Sequence, residues 1–273
     1  MEDLSNENVI HIKNEGCEYL QFKRLLKYQG NLKHAYGIKP ANFNRIKDGD
    51  NSNIIESYIK LCNSINVDYK KLIKPNQTHT NNVKKVEFAE NDISIEIDKF
   101  KETDGLITNQ ENIVLASTNA DCIILLMYDP VKNVIANVHS GWKGTFQKIA
   151  INCVKKMIED YGSNPKDIIC CICPSIRKCH FEVEEDVKNM CENIFKYTNQ
   201  IDNFIEYAGK KDGKDKWMID TIYINKIMLK DIGLLDENII DSGICSVCNC
   251  DKIHSYRIER NGYGLNSAII SLI

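Results

Sequence analysis

Two residues capable of metal or nucleophile chemistry flank a pair of apolar segments near the middle of the chain. Cys122 stands immediately before the run Ile123 to Tyr128, and His139 immediately follows the run Val134 to Val138. A thiolate and an imidazole are ligands that suit zinc or copper better than magnesium. A lone Cys is more often a small buried hydrophobe, however, and a lone His a satisfied side chain. Spacing alone therefore leaves both a structural and a chemical role open.

The elements around these residues can be predicted from their periodicity. The two apolar runs indicate buried strands joined by a turn at Asp129-Pro130. From Thr145 the apolar residues repeat at helical spacing, which predicts an amphipathic helix that ends at Gly162 and Pro165. The thiol and the imidazole would thus flank a hairpin, beside a Ser-Gly-Trp-Lys-Gly turn that opens a helix.

The motifs around this hairpin are more specific than their spacing. A-D-C before the first strand and H-S-G-W-K-G after the second resemble the paired signatures of the laccase-domain family, once called multicopper polyphenol oxidases. Bacterial members are also described as peptidoglycan-editing factors and as purine nucleoside phosphorylases. The usual forms in that family are T-A-D-C and H-A-G-W-R-G. Here Asn119, Ser140 and Lys143 replace the Thr, the Ala and the Arg.

A third motif supplies another histidine. P-N-Q-T-H-T-N-N-V resembles the family's Q-V-H-G-x-x-V, with Gln77 and His79 in place. Taken without the resemblance, a His between two Thr residues would be an exposed loop side chain. The resemblance implies that His79, Cys122 and His139 together hold one metal ion, zinc or alternatively copper. Three protein ligands with water in the fourth position are typical of catalytic zinc.

The resemblance also implies further site residues. Two motifs carry it, C-P-S-I-R-K-C-H-F-E-V and S-Y-R. Strands are expected on both sides of Arg257, and Arg257 itself is expected on a strand. The expected catalytic residues are Asp121, Lys143 and Arg257, and the expected substrate-binding residues are Gln77, Cys179 and Tyr256. Lys143, at a helix start, and Arg257 would bind an anion, although surface ion pairs remain an alternative for both. A nucleophilic Cys179 beside His180 is a lesser alternative.

Two further features allow more than one interpretation. Asp104 could support a ligating His through the ring's second nitrogen, or it could cap the turn before Gly105. C-S-V-C-N-C, with Cys245, Cys248 and Cys250, looks like half of a metal site. No Cys or His pair at a usual spacing completes it, apart from a nearby His, so we expect Cys245 to be a core or pocket residue and no second metal to be bound.

Composition excludes several classes of protein. Of 273 residues, 43% are apolar and 27% are charged, as in an ordinary globular protein. The net charge of -3 provides no basic field for nucleic acid. No apolar run is long enough for a membrane span and the acidic N-terminus is unlike a signal peptide, so we expect a cytoplasmic protein. Twelve cysteines in such a chain indicate core thiols, not a disulfide framework.

The resemblance implies an α+β fold in which mixed β-sheets pack together with helices on the outer faces, a layered α/β/β/α sandwich. We expect one catalytic domain over residues 1–273, with 1–40 matching weakly. Helices are predicted over Asn53 to Asn63 and Glu184 to Tyr197, and over Trp217 to Gly233 with Asp220 as N-cap. In the weaker N-terminal part, His34 is expected to be structural and Arg45 to be a solvated loop residue, with an anion contact as its alternative.

For function the resemblance implies a zinc-dependent purine nucleoside phosphorylase. Its substrates would be inorganic phosphate and adenosine or inosine, with 5′-methylthioadenosine as a further substrate. Deamination of adenosine would be a further activity. Neither nucleic acid nor membrane is an expected partner, and the chain would be a monomer or a small homo-oligomer. One alternative is a copper-dependent polyphenol oxidase, which the total of six histidines disfavours. The other is a non-catalytic metal-binding protein of cell-wall maturation.

Overall fold

The computed structural model describes residues 3–14, 16–44, 52–87 and 100–273. In chain order the strands are β1 Val9–Asn14, β2 Cys17–Phe22, β3 Leu32–Gly37, β4 Leu72–Ile73, β5 Val83–Lys85, β6 Gly105–Thr108, β7 Val114–Asn119, β8 Ile123–Asp129, β9 Val134–Ser140, β10 Ile169–Ile172, β11 Glu182–Val183, β12 Ile205–Lys211, β13 Lys214–Ile219, β14 Ile239–Asp241 and β15 Asn266–Leu272. The α-helices are α1 Lys23–Leu26, α2 Ser52–Ser64, α3 Trp142–Phe146, α4 Ile149–Tyr161, α5 Glu185–Phe195, α6 Ile201–Phe204, α7 Thr221–Asp231 and α8 Tyr256–Glu259.

Most strands belong to two six-stranded mixed sheets. The first has the order β1-β2-β3-β15-β7-β4 and the second the order β14-β10-β8-β9-β6-β5. The C-terminal strand β15 pairs antiparallel with both β3 and β7, so it joins the N-terminal strands to the middle of the chain. A small sheet, β11-β13-β12, stands beside them.

The strand β8 shows how the layers are stacked. Its alternate residues Ile124, Leu126 and Tyr128 belong to the apolar core between the two sheets. The intervening Ile123, Leu125 and Met127 pack in a second core with α4 and α7. Because both faces of the strand are covered, its sequence is continuously apolar instead of alternating.

The outer face of the first sheet is covered by a helix as well. Tyr58, Leu61 and Cys62 of α2 pack against Ala116 of β7 and Ile269 of β15. The predicted α/β/β/α layering is therefore confirmed. All twelve cysteines are unpaired thiols. Six of them lie in strands or helices with fully buried side chains or nearly so, in agreement with the expectation of core thiols.

Several predicted elements differ in detail. The single helix expected from Thr145 is two helices, α3 and α4, because Lys148 between them has a left-handed backbone with φ of 63°. The helix α4 ends at Gly162, as expected. The segment from Trp217 begins as strand β13, since it pairs with β12, and only then becomes α7. Asp220 is the N-cap of α7 as predicted, for its side chain accepts a hydrogen bond from the N–H of Tyr223.

The sequence predicted a structural role for His34 and a solvated loop position for Arg45. His34 is buried in β3, where its Nε2 accepts a hydrogen bond from the backbone N–H of Phe22 at 2.8 Å, which fits the expected structural role. Arg45 lies outside the described residues. Among the helices of the described ranges, none has the length and apolar character that crossing a bilayer requires.

Candidate metal centre and its two cavities

His79, Cys122 and His139 converge from three separate elements. Cys122 immediately precedes β8, His139 faces Ile124 from the neighbouring strand β9, and His79 comes from the loop after β4. Their ligand atoms all lie within 4.8 Å of one another. Nε2 of His79 is 3.7 Å from Sγ of Cys122, and the two imidazole rings meet edge to face at 4.9 Å.

Asp104 holds both histidines in place. Its Oδ1 accepts a hydrogen bond from the N–H of His79 at 3.0 Å and contacts Nδ1 of His139 at 2.8 Å. Its Oδ2 accepts from the N–H groups of Thr78 and Thr80 and from the Thr80 hydroxyl. The backbone of His79 is left-handed, with φ of 63°, a strained conformation that these bonds maintain. Of the two interpretations of Asp104, support of a ligating histidine is the one the geometry favours.

Because Nδ1 of His139 is bonded to Asp104, its Nε2 is the nitrogen that remains for a metal. Burial on its own lowers the pKa of this imidazole, but Cys122 and Asp104 outweigh burial and raise it to about 9. Burial on its own raises the pKa of the Cys122 thiol, but His139 and His79 outweigh it and lower that pKa to about 6. The pocket therefore stabilises a thiolate, which is the form that binds metals.

The backbone at Gly141 approaches the three candidate ligands closely. A Cβ atom on Gly141 would lie 2.7 Å from Cδ2 of His79 and 3.2 Å from Sγ of Cys122. Its φ of -62° is open to any residue, so glycine is needed here for space and not for conformation. Two imidazoles and one thiolate at such spacing fit zinc or copper.

Asp121, which was expected to be catalytic, lies beside Cys122, and both of its carboxylate oxygens accept hydrogen bonds. Its carboxylate accepts hydrogen bonds from the hydroxyls of Ser246 and Ser255 at 2.6 and 2.7 Å and from the N–H of Arg257 at 2.6 Å. Its backbone is left-handed, with φ of 83°. These bonds tie the segment that carries Cys122 to two distant parts of the chain.

Two cavities meet at the metal ligands. A cavity of about 630 Å³ and one of about 820 Å³ share His79, Cys122 and Tyr256 in their walls. The smaller cavity is lined by Arg257 and Arg260 and also by the acidic residues Asp121, Glu182 and Glu184. It is hereafter called the cationic cavity after its two guanidinium groups. The larger one, hereafter the aromatic cavity, is lined by four further rings, Phe43, Tyr58, Tyr69 and Tyr263. Both volumes lie in the range of small-molecule sites.

Arg257 reaches the cationic cavity, but from a helical turn. The expectation of a strand position is wrong, because α8 covers Tyr256–Glu259. The side chain of Arg257 donates to the backbone carbonyl of Glu182 at 3.3 Å. Arg260, one turn further on, was not predicted, although its spacing of three residues from Arg257 could have suggested it. Lys216 also lines this cavity, but its ammonium is paired with Glu184 at 2.8 Å.

The remaining predicted site residues divide into two groups. Gln77 lines the aromatic cavity, where its amide exchanges hydrogen bonds with the backbone of Thr118. Tyr256 lines both cavities. Lys143 and Cys179 line neither. The side chain of Lys143 is exposed, and its ammonium lies 5.6 Å from the centre of the Trp142 ring.

Cys179 lies instead in a second group of thiols. It is brought together with His180, Cys245 and Cys248, and these four ligand atoms also lie within 4.8 Å of one another. No pair at a usual spacing was expected to complete Cys245 and Cys248; the fold instead places Cys179 and His180, which are adjacent in another loop, beside them. Cys245 is buried, as expected.

The family model described as multi-copper polyphenol oxidoreductase laccase matches residues 27–273. The chain belongs to this family. The match begins inside the segment 1–40 that the motifs resembled only weakly. Family membership implies metal binding, and the convergence of thiol and imidazole groups agrees with it.

Relatives and solved structures agree with this assignment. The Bacillus subtilis protein named purine nucleoside phosphorylase YlmD is 30% identical over 230 residues, which are 83% of this chain and 78% of that protein. The crystal structure of the Bacillus licheniformis hypothetical protein YfiH superposes with a TM-score of 0.83 at 25% identity, covering 93% of this chain and 96% of that one. The structure of YlmD from Geobacillus stearothermophilus has a TM-score of 0.80 at 19% identity and covers 97% and 99%, so it supports the fold. The name of the Bacillus subtilis relative supports a role as a nucleoside phosphorylase at the level of the family.

Proposed function

We propose that the protein is a zinc-dependent purine nucleoside phosphorylase of the cytoplasm that acts as one catalytic domain over residues 1–273. Its substrates are adenosine or inosine and inorganic phosphate, and it needs neither nucleic acid nor membrane. The observation that carries the proposal is the position of His79, Cys122 and His139, where an aromatic and a cationic cavity meet. A reaction between a nucleoside and an anion needs this pair of environments on either side of one reacting centre.

The aromatic cavity suits a purine nucleoside. Tyr58, Tyr69, Tyr256 and Tyr263 combine ring faces with hydroxyl groups, which favour stacking and hydrogen bonding of a flat heterocycle. Gln77 acts through Thr118, because its amide is already paired with that backbone, and so shapes the wall. The volume of about 820 Å³ also leaves room for a 5′ substituent such as a methylthio group.

The cationic cavity suits phosphate. Phosphorolysis forms a bond from a phosphate oxygen to the anomeric carbon of ribose and breaks the bond to the purine nitrogen, and the departing base takes up a proton. Arg257 and Arg260 offer planar guanidinium groups for bidentate contacts with the anion. Tyr256, which lines both cavities, stands where the sugar would lie. Lys143 is left out of this anion site because its side chain lies over Trp142.

His79, Cys122 and His139 are positioned to bind a zinc ion that would serve both phosphorolysis and deamination of nucleosides. Zinc, when bound to them, supplies a Lewis acid and lowers the pKa of a bound water to about 7. Asp104 fixes the tautomer of His139, and burial of that pair excludes bulk water. Hydrolysis at the amino-bearing carbon of adenine, with release of ammonia, would draw on the same chemistry, so we include adenosine deamination as a second activity of the same site.

The inventory of histidines favours this function over a multicopper oxidase. All six histidines fall in the described ranges, and only His79 and His139 reach the centre. His11, His34 and His254 each contact protein groups elsewhere. Oxidases with several coppers need more imidazoles than two. A non-catalytic role in cell-wall maturation would leave the two cavities at the metal ligands without a purpose.

Product analysis tests the proposal. Tag-free protein is incubated with inosine or adenosine, with and without inorganic phosphate, and the products are separated by chromatography. We expect free base and ribose 1-phosphate in equal amounts only when phosphate is present, and inosine from adenosine under both conditions if deamination occurs. Release of base at the same rate without phosphate would mean a hydrolase. No conversion of any nucleoside would favour the non-catalytic role, and oxidation of phenols with copper would favour the oxidase.

A further inference from the structure

The group formed by Cys179, His180, Cys245 and Cys248 lies outside both cavities and has no part in the proposed chemistry. Cys179 and His180 sit in the loop between β10 and β11, and the other two sit in a turn after β14. The two segments are held side by side by a parallel bridge between Ser175 and Cys245. Residues 66 positions apart in the chain, such as Cys179 and Cys245, therefore meet.

The spacing of the four ligand atoms is that of a tetrahedron around one zinc ion. With bonds of about 2.3 Å to sulfur and about 2.0 Å to nitrogen, a tetrahedral ion keeps sulfurs about 3.8 Å apart and nitrogen about 3.5 Å from sulfur. Sγ of Cys179 lies 3.7 Å from that of Cys245 and 4.0 Å from that of Cys248. Nδ1 of His180 lies 3.7 and 3.6 Å from the sulfurs of Cys245 and Cys248. The fifth edge, from His180 to its neighbour Cys179, is 3.1 Å.

Two of the thiols are also accessible to an ion from solvent. Cys179 and Cys248 are exposed, unlike the core thiols, so an ion can enter.

We propose that Cys179, His180, Cys245 and Cys248 bind a second zinc ion in a closed structural site. Three cysteines and one histidine are a usual set for structural zinc, which uses four protein ligands and leaves no position for substrate. The site is independent of the nucleoside chemistry proposed above, because it shares no ligand with the centre at His139.

The location of the site gives the ion a positioning role. The loop with Cys179 continues into Phe181 and Glu182, which line the cationic cavity. The turn with Cys245 carries Ser246, whose hydroxyl donates to Asp121 beside the metal ligand Cys122. Zinc would fasten the loop to the turn, and thereby one wall of the cavity to the segment that carries a ligand of the first centre.

Zinc content of matched variants tests the proposal. Full-length, tag-free Cys248→Ser should contain one zinc equivalent less than the wild type, and Cys179→Ser should show the same loss. Cys250→Ser is the control, because it changes a thiol of the same turn that is outside the group, and it should keep the wild-type content. Equal zinc in all four proteins would overturn the proposal, whatever the nucleoside activity.

Alkylation of the wild type provides a readout that does not depend on folding of a variant. With zinc bound, Cys179 and Cys248 should resist iodoacetamide, and they should be labelled rapidly once a chelator has removed the ion, as peptide mass spectrometry can measure. Equal labelling before and after chelation would contradict the proposal. So would a disulfide between Cys179 and Cys245 in freshly isolated protein, since it would use up two of the ligands.

Discussion

Replacing Asp104 by Asn should weaken metal binding without removing any ligand. The carboxylate faces only donors. These are the N–H of His79 and Nδ1–H of His139 at Oδ1, and the N–H groups of Thr78 and Thr80 with the Thr80 hydroxyl at Oδ2. An amide has one NH₂ group, and in either orientation that group would meet at least two N–H donors. If it turns towards Oδ1, His139 must move its proton to Nε2, which removes the lone pair that binds the metal. If it turns towards Oδ2, the loop that holds His79 loses its two N–H bonds to Asp104.

The magnitude follows from the bonds affected. A hydrogen bond to a charged group contributes about 1.5–3 kcal/mol, and loss of a carboxylate behind a ligating histidine typically costs 10–100-fold in metal affinity, about 1.4–2.8 kcal/mol. We therefore expect the Kd for zinc of Asp104→Asn to rise by about 10–100-fold. Competition with a chromophoric zinc chelator measures it, and nucleoside cleavage at limiting zinc should fall in parallel.

Asp129→Asn is the matched control. Asp129 is also buried, at the far end of β8. Its Oδ1 accepts from the N–H groups of Val131 and Lys132, while its Oδ2 has no partner among the described residues. The amide can therefore keep its oxygen on the donors, and zinc affinity should not change. Wild-type zinc affinity in Asp104→Asn, or an equal loss in Asp129→Asn, would refute the argument that Asp104 positions the ligands.

Three further predictions concern space, charge and pH. Gly141→Ala should abolish zinc binding at the centre, since its Cβ would lie 2.7 Å from a ligating ring, and the metal-free variant and wild type should unfold at nearly the same temperature. Gly30→Ala, with nothing within 4 Å of the added Cβ, is the control, and retained zinc binding in Gly141→Ala would contradict the space argument. Arg257→Gln should lower kcat/KM for phosphate by about 100-fold, or about 3 kcal/mol of charge-assisted bonding, with unchanged zinc content, whereas Lys143→Gln should behave like the wild type; the reverse order in steady-state kinetics would move the anion site to Lys143. Burial lowers the pKa of His34 from its usual 6.5 to about 3. Between pH 6.5 and 3 the unfolded chain therefore binds a proton at His34 that the folded chain does not bind. The free energy of unfolding is therefore highest above pH 6.5 and decreases as the pH falls. The loss should reach about 2 kcal/mol by pH 5; urea unfolding should show a smaller slope against pH for His34→Gln, and equal slopes would contradict it.

The hairpin around the first centre could be predicted well from the sequence. The continuous apolar runs of β8 and β9 are what strands buried on both faces require. The predicted runs begin at the first residue of each strand and end one residue before the end of β8 and two before the end of β9. The three metal ligands, in contrast, were found only through resemblance. His79 and Cys122 are 43 residues apart, and no local periodicity indicates that the fold will bring two such residues together.

Contacts between residues far apart in the chain also explain why the position of Arg257 and the grouping of Cys179 and His180 with Cys245 and Cys248 were not predicted. Arg257 was expected on a strand because apolar segments flank it, whereas the hydrogen bond from its N–H to Asp121, 136 residues away, fixes the N-terminal end of a helical turn. Cys179 and His180 are adjacent in the chain, and a metal-binding pair with that spacing is not among the usual signatures. The four residues Cys179, His180, Cys245 and Cys248 come together only because the fold places the β10–β11 loop beside the turn of Cys245.

The most direct test of the central claim is a phosphorus NMR measurement of ribose 1-phosphate formed from inosine and inorganic phosphate. It compares the zinc-loaded protein, the same protein after chelation and the chelated protein with zinc restored. We predict a ribose 1-phosphate signal with zinc, its loss on chelation and its return when zinc is restored, with His139→Ala inactive throughout. Formation of ribose 1-phosphate at the same rate by the metal-free protein, or by His139→Ala, would contradict the account.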